Sequence, residues 1–347
     1  MSALPSTLTV ITQADDCRLV WRKAHDAWRQ PSPFLHPAFQ EGLERLVSWD
    51  RVVVLRDGEP ILSGFVRSRG PVKDLVLPPF QPYSAVVPGL EIGEVADSLI
   101  ATPGLPANWL LSLAPARPVS GASHAENGYS IKERNTYILA SAPMDSAIAA
   151  WSAGPRRQVR KATADYRFWC SHDKSGDAQS EANKLDEVIY ASVRLADQAY
   201  SRHNRSLPLP PRGLARWARD LVYADLARVY GLYERSSGEV VAAIVALHDH
   251  RTAWYWIAGS EPGPGMTVLM AHVQDDLYQA GIPTLDLMGA NTPGIAEFKR
   301  RFGGVHVTYV HLVKRSLAGR FTETAANLFR GFVPKDWKVK HQRREGT

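Results

Sequence analysis

Hydrophobic and polar positions change rhythm along this chain, and one pattern occurs twice. Residues 51–67 read RVVVLRDGEPILSGFVR, an apolar run, a polar turn and a second apolar run. Residues 228–245, RVYGLYERSSGEVVAAIV, repeat that layout. Both turns end in Gly-Glu, at Gly58-Glu59 and Gly238-Glu239, and both stretches predict a β-hairpin. The two lie about half a chain apart, which suggests two copies of one unit.

The second half predicts a definite order of elements. A basic helix spans 154–164, then a short strand 166–170, a helix 183–199, a Pro-rich loop 207–211 and a helix 214–223. Strands follow at 228–234, 240–248 and 252–260. A glycine-proline loop at 261–265 opens a helix whose Met266, Leu269, Met270, Val273 and Leu277 share a face, and Gly281 stops it. Strand 284–288, a helix 294–300, strand 305–313 and a last helix 323–329 complete the half. In the first half the pattern predicts helices at 15–30, 37–47 and 94–100, and strands at 52–55, 61–67, 109–113 and 135–140. Residues 70–106, rich in Pro and Gly, otherwise read as loop.

At 347 residues the chain suits two domains. No run approaches the ~20 apolar residues of a membrane span, and the N-terminus lacks the pattern of a signal peptide. Two cysteines are too few for a disulfide framework or a cysteine-built zinc site. A cytoplasmic protein is expected. The net charge of +6 is concentrated: 151–174 and 330–347 each carry six cations against two carboxylates. Such clusters suit a polyanion or a phosphorylated substrate, and equally a solvated helix face and a frayed tail.

The stretch GIPTLDLMGANTPGIAEFKRRFGG at 281–304 resembles the C-terminal signature of Fem-type and related GNAT-like acyltransferases. GPRRQVRKA at 154–162, SPFLHPAF at 32–39 and PPFQPYSA at 78–85 are similar to other segments of that group. The resemblance implies a mixed α/β fold (α+β mixed sheets) of two tandem GNAT-like domains. Their expected bounds are 1–145 and 146–315, followed by a helix and basic tail at 316–347. It also implies an acceptor site between the domains and an amine attacking an activated ester or thioester. Members differ in donor, aminoacyl-tRNA or acyl-CoA, and no tightly bound cofactor is expected.

For the donor, the stretch SEPGPG at 260–265 keeps Gly263 and Gly265 at Gly-x-Gly spacing before a helix, where backbone amides bind pyrophosphate. Glu261 adds negative charge, and Pro262 and Pro264 have no N–H to donate. That weakens a CoA site and favours aminoacyl-tRNA, with acyl-CoA the alternative. Lys299, in the last turn of its helix, is the leading catalytic candidate, stabilising a donor phosphate or an oxyanion; the competing role is to complement the helix C-terminus. Asp286, within an apolar strand, either orients the amine or accepts its proton, or else caps the neighbouring loop at Asn291-Thr292 or pairs with an arginine. Arg156 and Arg160 share a helix face suited to phosphate. Arg205 lies in a loop, 201–212, read as substrate-gating. Tyr83, Asn291 and Phe298 are further substrate-binding candidates.

Trp254 and Trp256 read as core. His248-Asp249-His250 has no visible third and fourth ligand, so no metal site is expected. The expected partners are tRNA and a small-molecule amine acceptor, a small metabolite or cell-wall precursor. A non-catalytic RNA-binding protein is the competing class.

Overall fold

The structure, a computed structural model, describes residues 7–27, 32–70, 72–86, 92–113, 128–172 and 177–316. The helix expected at 323–329, the basic tail and the end of the first expected helix lie outside the described residues. The first half runs β1 (Leu8–Ile11), α1 (Ala14–Ala27), a tight turn (Pro33–Leu35), α2 (Pro37–Glu44), β2 (Asp50–Arg56), β3 (Glu59–Arg69), β4 (Val72–Val76), β5 (Ala85–Val86), α3 (Ile92–Ala101), β6 (Asn108–Ser112) and β7 (Tyr129–Ala140). Helices α4 (Met144–Ala150) and α5 (Ala153–Ala162) lead into the second. That half runs β8 (Tyr166–Cys170), α6 (Ala178–Arg202), α7 (Pro211–Tyr223), β9 (Ala227–Glu234), β10 (Val240–His248), β11 (Thr252–Ser260), α8 (Gly265–Gln279), β12 (Thr284–Asp286), α9 (Pro293–Arg300) and β13 (Val305–Lys314).

Strand, two helices, three antiparallel strands, helix, strand, final strand: the order occurs twice. The repeated hairpins are β2–β3 and β9–β10. Asp57 and Gly58 both take positive φ, 53° and 84°, which suits a two-residue turn matched to strand twist. The second turn is longer, with Gly238 at φ 74°.

The strands form one sheet in the order β1-β2-β3-β4-β6-β13-β7-β12-β11-β10-β9-β8, with β5 beside β3. Neighbours are antiparallel except β4 with β6 and β11 with β12. The last strand of each half crosses over. β7 pairs with β12 and β13, and β13 pairs with β6 and β7. A cut at 145/146 therefore separates each half from the strand that extends its own ladder.

Burial follows from helices on both faces. β10 is a nearly continuous apolar run because α6 packs on one face and α8 on the other. Helix α8 is buried on most sides, held between the sheet and α4 and α5. One core cluster joins the halves: Phe34, Phe39, Phe65 and Tyr83 of the first pack with Trp217, Trp254 and Trp256 of the second. Fully burying a side chain of this size stabilises by about 1.5–3 kcal/mol, so the seam is a substantial part of the fold. Trp254 and Trp256 are core, as expected.

Three expectations are corrected. Within 70–106 the chain forms β4 and β5; β4 is too short to show a period and exists because β3 and β6 supply its hydrogen bonds. The strand expected to reach Met288 ends at Asp286, because Met288 turns to φ 55°. The loop after α6 is no free gate, since Leu209 is buried in the central core. Among the described residues, no helix is long and apolar enough to cross a membrane.

Candidate functional site

The ladder between β11 and β12 is short. They pair only through Thr252–Trp254 and Thr284–Asp286, after which β11 runs on to Ser260 while the chain leaves β12. A bulge sharpens the divergence: Val245 pairs Ile257 and Ala246 pairs Tyr255, leaving Trp256 as the extra residue. Where the strands part lies a cavity of about 440 Å³. The second half lines it with Tyr200, Tyr255–Ala258, Leu287–Gly289, Lys299, Tyr309 and His311. The first half contributes Leu77, Phe80, Gln81, Pro82, Ser112 and Arg134. Trp256 Nε1 donates to the Phe80 carbonyl at 2.7 Å, fastening the two walls together.

Asp286 sits beneath this cavity, buried, where the halves meet. Its carboxylate accepts from Tyr83 Oη at 2.7 Å, Thr136 Oγ1 at 2.5 Å and the Met288 backbone N–H at 2.7 Å. Burial pushes its pKa up, and the three donors and Lys299 pull it back. Tyr83 is raised far above the usual phenol value by burial and by Asp286, so it stays a donor. Asp286 thus caps the turn after its own strand and ties that turn to the first half.

Lys299 is buried too, and it is not the free cation the sequence suggested. Its ammonium donates to the carbonyl of Leu287 at 2.5 Å, to that of Met288, and to that of Gly289 at 3.0 Å. An ammonium has three donors, and all are committed to one loop. Lys299 therefore holds Met288 in its left-handed conformation and shapes the cavity wall. Burial draws its pKa down to about 8, with Asp286 opposing. Its charge also lies 5.8 Å from the centre of the Tyr255 ring. The oxyanion role would require it to give up a carbonyl.

Asn291 belongs to the same loop, accepting from the Asn135 N–H at 2.9 Å and donating to Tyr309 Oη at 3.3 Å. The remaining candidates are not brought to the cavity. Phe298 is exposed on α9 with its ring edge-on to Phe302. Arg156 and Arg160 lie on α5, which packs against α8. Arg205 is exposed after α6, where its charge acts on Tyr200. Gly263 is exposed at φ 137°, and Gly265 opens α8, buried against Val241 and Ala242. In the first turn of α8, Thr267 Oγ1 donates to Gln158 on α5 at 3.0 Å, and Glu261 is paired with Arg194 at 3.3 Å. Gly303 and Gly304 are close-packing positions: a Cβ at Gly303 collides with the Ala150 carbonyl, and one at Gly304 comes 2.6 Å from Leu139.

Sequence reasoning missed the residues that pairing across the halves brings in. His311 faces Ser112 across β13 and β6, with His311 Nδ1 2.9 Å from Ser112 Oγ. Burial, then Arg134, Lys132 and Arg315, lower its pKa to about 4, so the imidazole is neutral at neutral pH. Tyr309 and Arg134 are cross-strand neighbours. Alternation in YVHLV and KERNT marks them as same-face residues, but no local pattern shows that those faces meet. A second cavity, about 460 Å³ between α6, α7 and β10, holds none of these groups.

Residues 153–300 match the family described as an acetyltransferase (GNAT) domain. Among solved structures the chain is similar to FemX, at 11% identity and a TM-score of 0.57, covering 88% of this chain and 97% of that one. It is also similar to the C-terminal domain assigned to a lysylphosphatidylglycerol synthetase from Agrobacterium fabrum, at 14% identity and a TM-score of 0.53, covering 90% and 97%. At these identities the likeness is one of fold. No curated protein sequence matches.

Proposed function

We propose that this chain, an acyltransferase whose residues 153–300 belong to the acetyltransferase (GNAT) family, transfers an aminoacyl group from aminoacyl-tRNA to an amine. The acceptor is a small metabolite or cell-wall precursor. The observation that carries this reading is the cavity at the parting of β11 and β12, walled by both halves, with His311 and Arg134 on its lining. There the amine nitrogen attacks the ester carbonyl, the C–N bond forms, the bond to the ribose oxygen breaks, and the amine's proton passes to that oxygen. The neutral imidazole of His311 is suited to relay the proton, and Arg134 to steady developing negative charge.

The opening of α8 favours this donor over acyl-CoA. Pro262 and Pro264 offer no amide, Gly265 to Thr267 are buried, and α5 lies against the helix. Against it stands the family description itself and the Gly263–Gly265 spacing, which keep acyl-CoA as the second reading. A charged-tRNA donor places the work in the cytoplasm, and the units are taken as 1–145 and 146–315, followed by a tail.

The test is transfer to a panel of amines from charged tRNA, with and without ribonuclease, beside acetyl-CoA. Transfer abolished by ribonuclease is expected. Ribonuclease-insensitive turnover of acetyl-CoA overturns the donor, and salt-dependent tRNA binding without transfer from either donor overturns the enzyme.

A further inference from the structure

At the outer edge of the second half, three chain segments bring two imidazoles and a carboxylate together. His172 follows β8, Asp225 lies in the turn between α7 and β9, and His248 ends β10. Each offers a donor atom within 4.8 Å of the others. His172 Nε2 is 3.9 Å from an Asp225 carboxylate oxygen. His250, which the sequence set beside His248, is not part of the group; His172 and Asp225 are distant in sequence.

Two details suit a ligand. Among the described residues His248 Nε2 is buried with no hydrogen-bond partner, a costly condition for an imidazole nitrogen. Ser171 Oγ lies 3.2 Å from His172 Nδ1 and is held in turn by the Val229 N–H at 3.0 Å. A proton on Nδ1, given to Ser171, leaves Nε2 as a lone pair toward Asp225; such outer partners orient metal-binding imidazoles. The nearby Arg228 is paired with Asp276 at 2.9 Å.

We propose that His172, Asp225 and His248 form a zinc(II) site with three protein ligands and water in the fourth position. Two imidazoles and a carboxylate are a fitting donor set for this ion. Bonds of ~2.0–2.1 Å put tetrahedral ligand atoms roughly 3.3 Å apart, so the group must tighten. The Asp225 side chain is 86% exposed and free to swing inward. The ion then staples edge strand β8 to the turn before β9 and to the end of β10. His248 pairs with Ala253 at the start of β11, whereas the cavity begins at Tyr255 and extends toward its far end. The site is structural, remote from transfer.

The test uses the full chain, stripped with chelator and titrated with zinc chloride in a calorimeter. One equivalent is expected to bind and to raise the melting temperature. Asp225→Asn and His172→Gln, both at accessible positions, weaken binding at least tenfold, while His250→Gln leaves it unchanged. Cobalt(II) gives the visible absorption of a four-coordinate site, lost in His172→Gln. Absence of stoichiometric binding overturns the site, as does binding that Asp225→Asn and His172→Gln leave intact.

Discussion

Lys299→Met removes the ammonium while keeping a stem of similar length, so it separates positioning from catalysis. Three bonds from a charged donor to carbonyls, each worth about 1.5–3 kcal/mol, give roughly 5 kcal/mol at the low end. Against this, holding the ammonium charged where burial lowers its pKa from 10.5 to about 8 costs about 3 kcal/mol. The net expected loss is about 2 kcal/mol, a large share of the ~5–15 kcal/mol typical of a folded domain. Urea unfolding of wild type and variant, followed by tryptophan fluorescence, measures it, with transfer assayed on the same preparations. Stability and turnover are expected to fall together, because Met288 is freed from its left-handed conformation and the cavity wall loosens. Turnover abolished with stability within about 0.5 kcal/mol of wild type refutes the reasoning. The ammonium then acts on substrate, as the sequence first suggested.

Tyr83→Phe removes one of three donors to Asp286 and the hydrogen bond that links the halves there; a loss of about 1.5–3 kcal/mol is expected in the same unfolding assay. Gly303→Ala meets the Ala150 carbonyl and leaves an alanine at φ 73°, so a loss of more than about 2 kcal/mol is expected by calorimetric melting, and a neutral result refutes the close packing. His311 has a native pKa near 4 against an ordinary 6.5, so between those values the unfolded chain binds more protons. The stability held by its neutral form is complete above about pH 6.5 and is lost as pH falls toward 4, about 3 kcal/mol in all. His311→Gln flattens that part of the stability–pH curve, and curves that stay parallel count against the burial of this imidazole.

Most of the second half is legible in its pattern. Strands at 240–248 and 252–260 stand where apolar runs predict them, because helices cover both faces and demand long apolar stretches. The resemblance to Fem-type GNAT-like acyltransferases is borne out in the fold. The first half is harder to read: β1 and β4 are four and five residues long, too short for a period to show. At the site, Tyr83, Asp286, Lys299 and Asn291 do come together, while Arg156, Arg160 and Phe298 do not. Basic or aromatic character marks a residue as able to bind phosphate or substrate, but not which way its helix turns.

By itself the sequence determined the repeated hairpin, the order of elements in the second half, and the residue types placed at the end of β12 and on α9. These rest on local periodicity and turn chemistry, which act over a few residues. The tertiary structure decided that the last strands cross between halves, that His311 meets Ser112, and that the Lys299 ammonium is spent on three carbonyls. It also drew His172, Asp225 and His248 into one cluster. Each outcome depends on register between strands far apart in the chain. No side-chain pattern within one strand carries that register, since it is set by how two ladders share a single sheet.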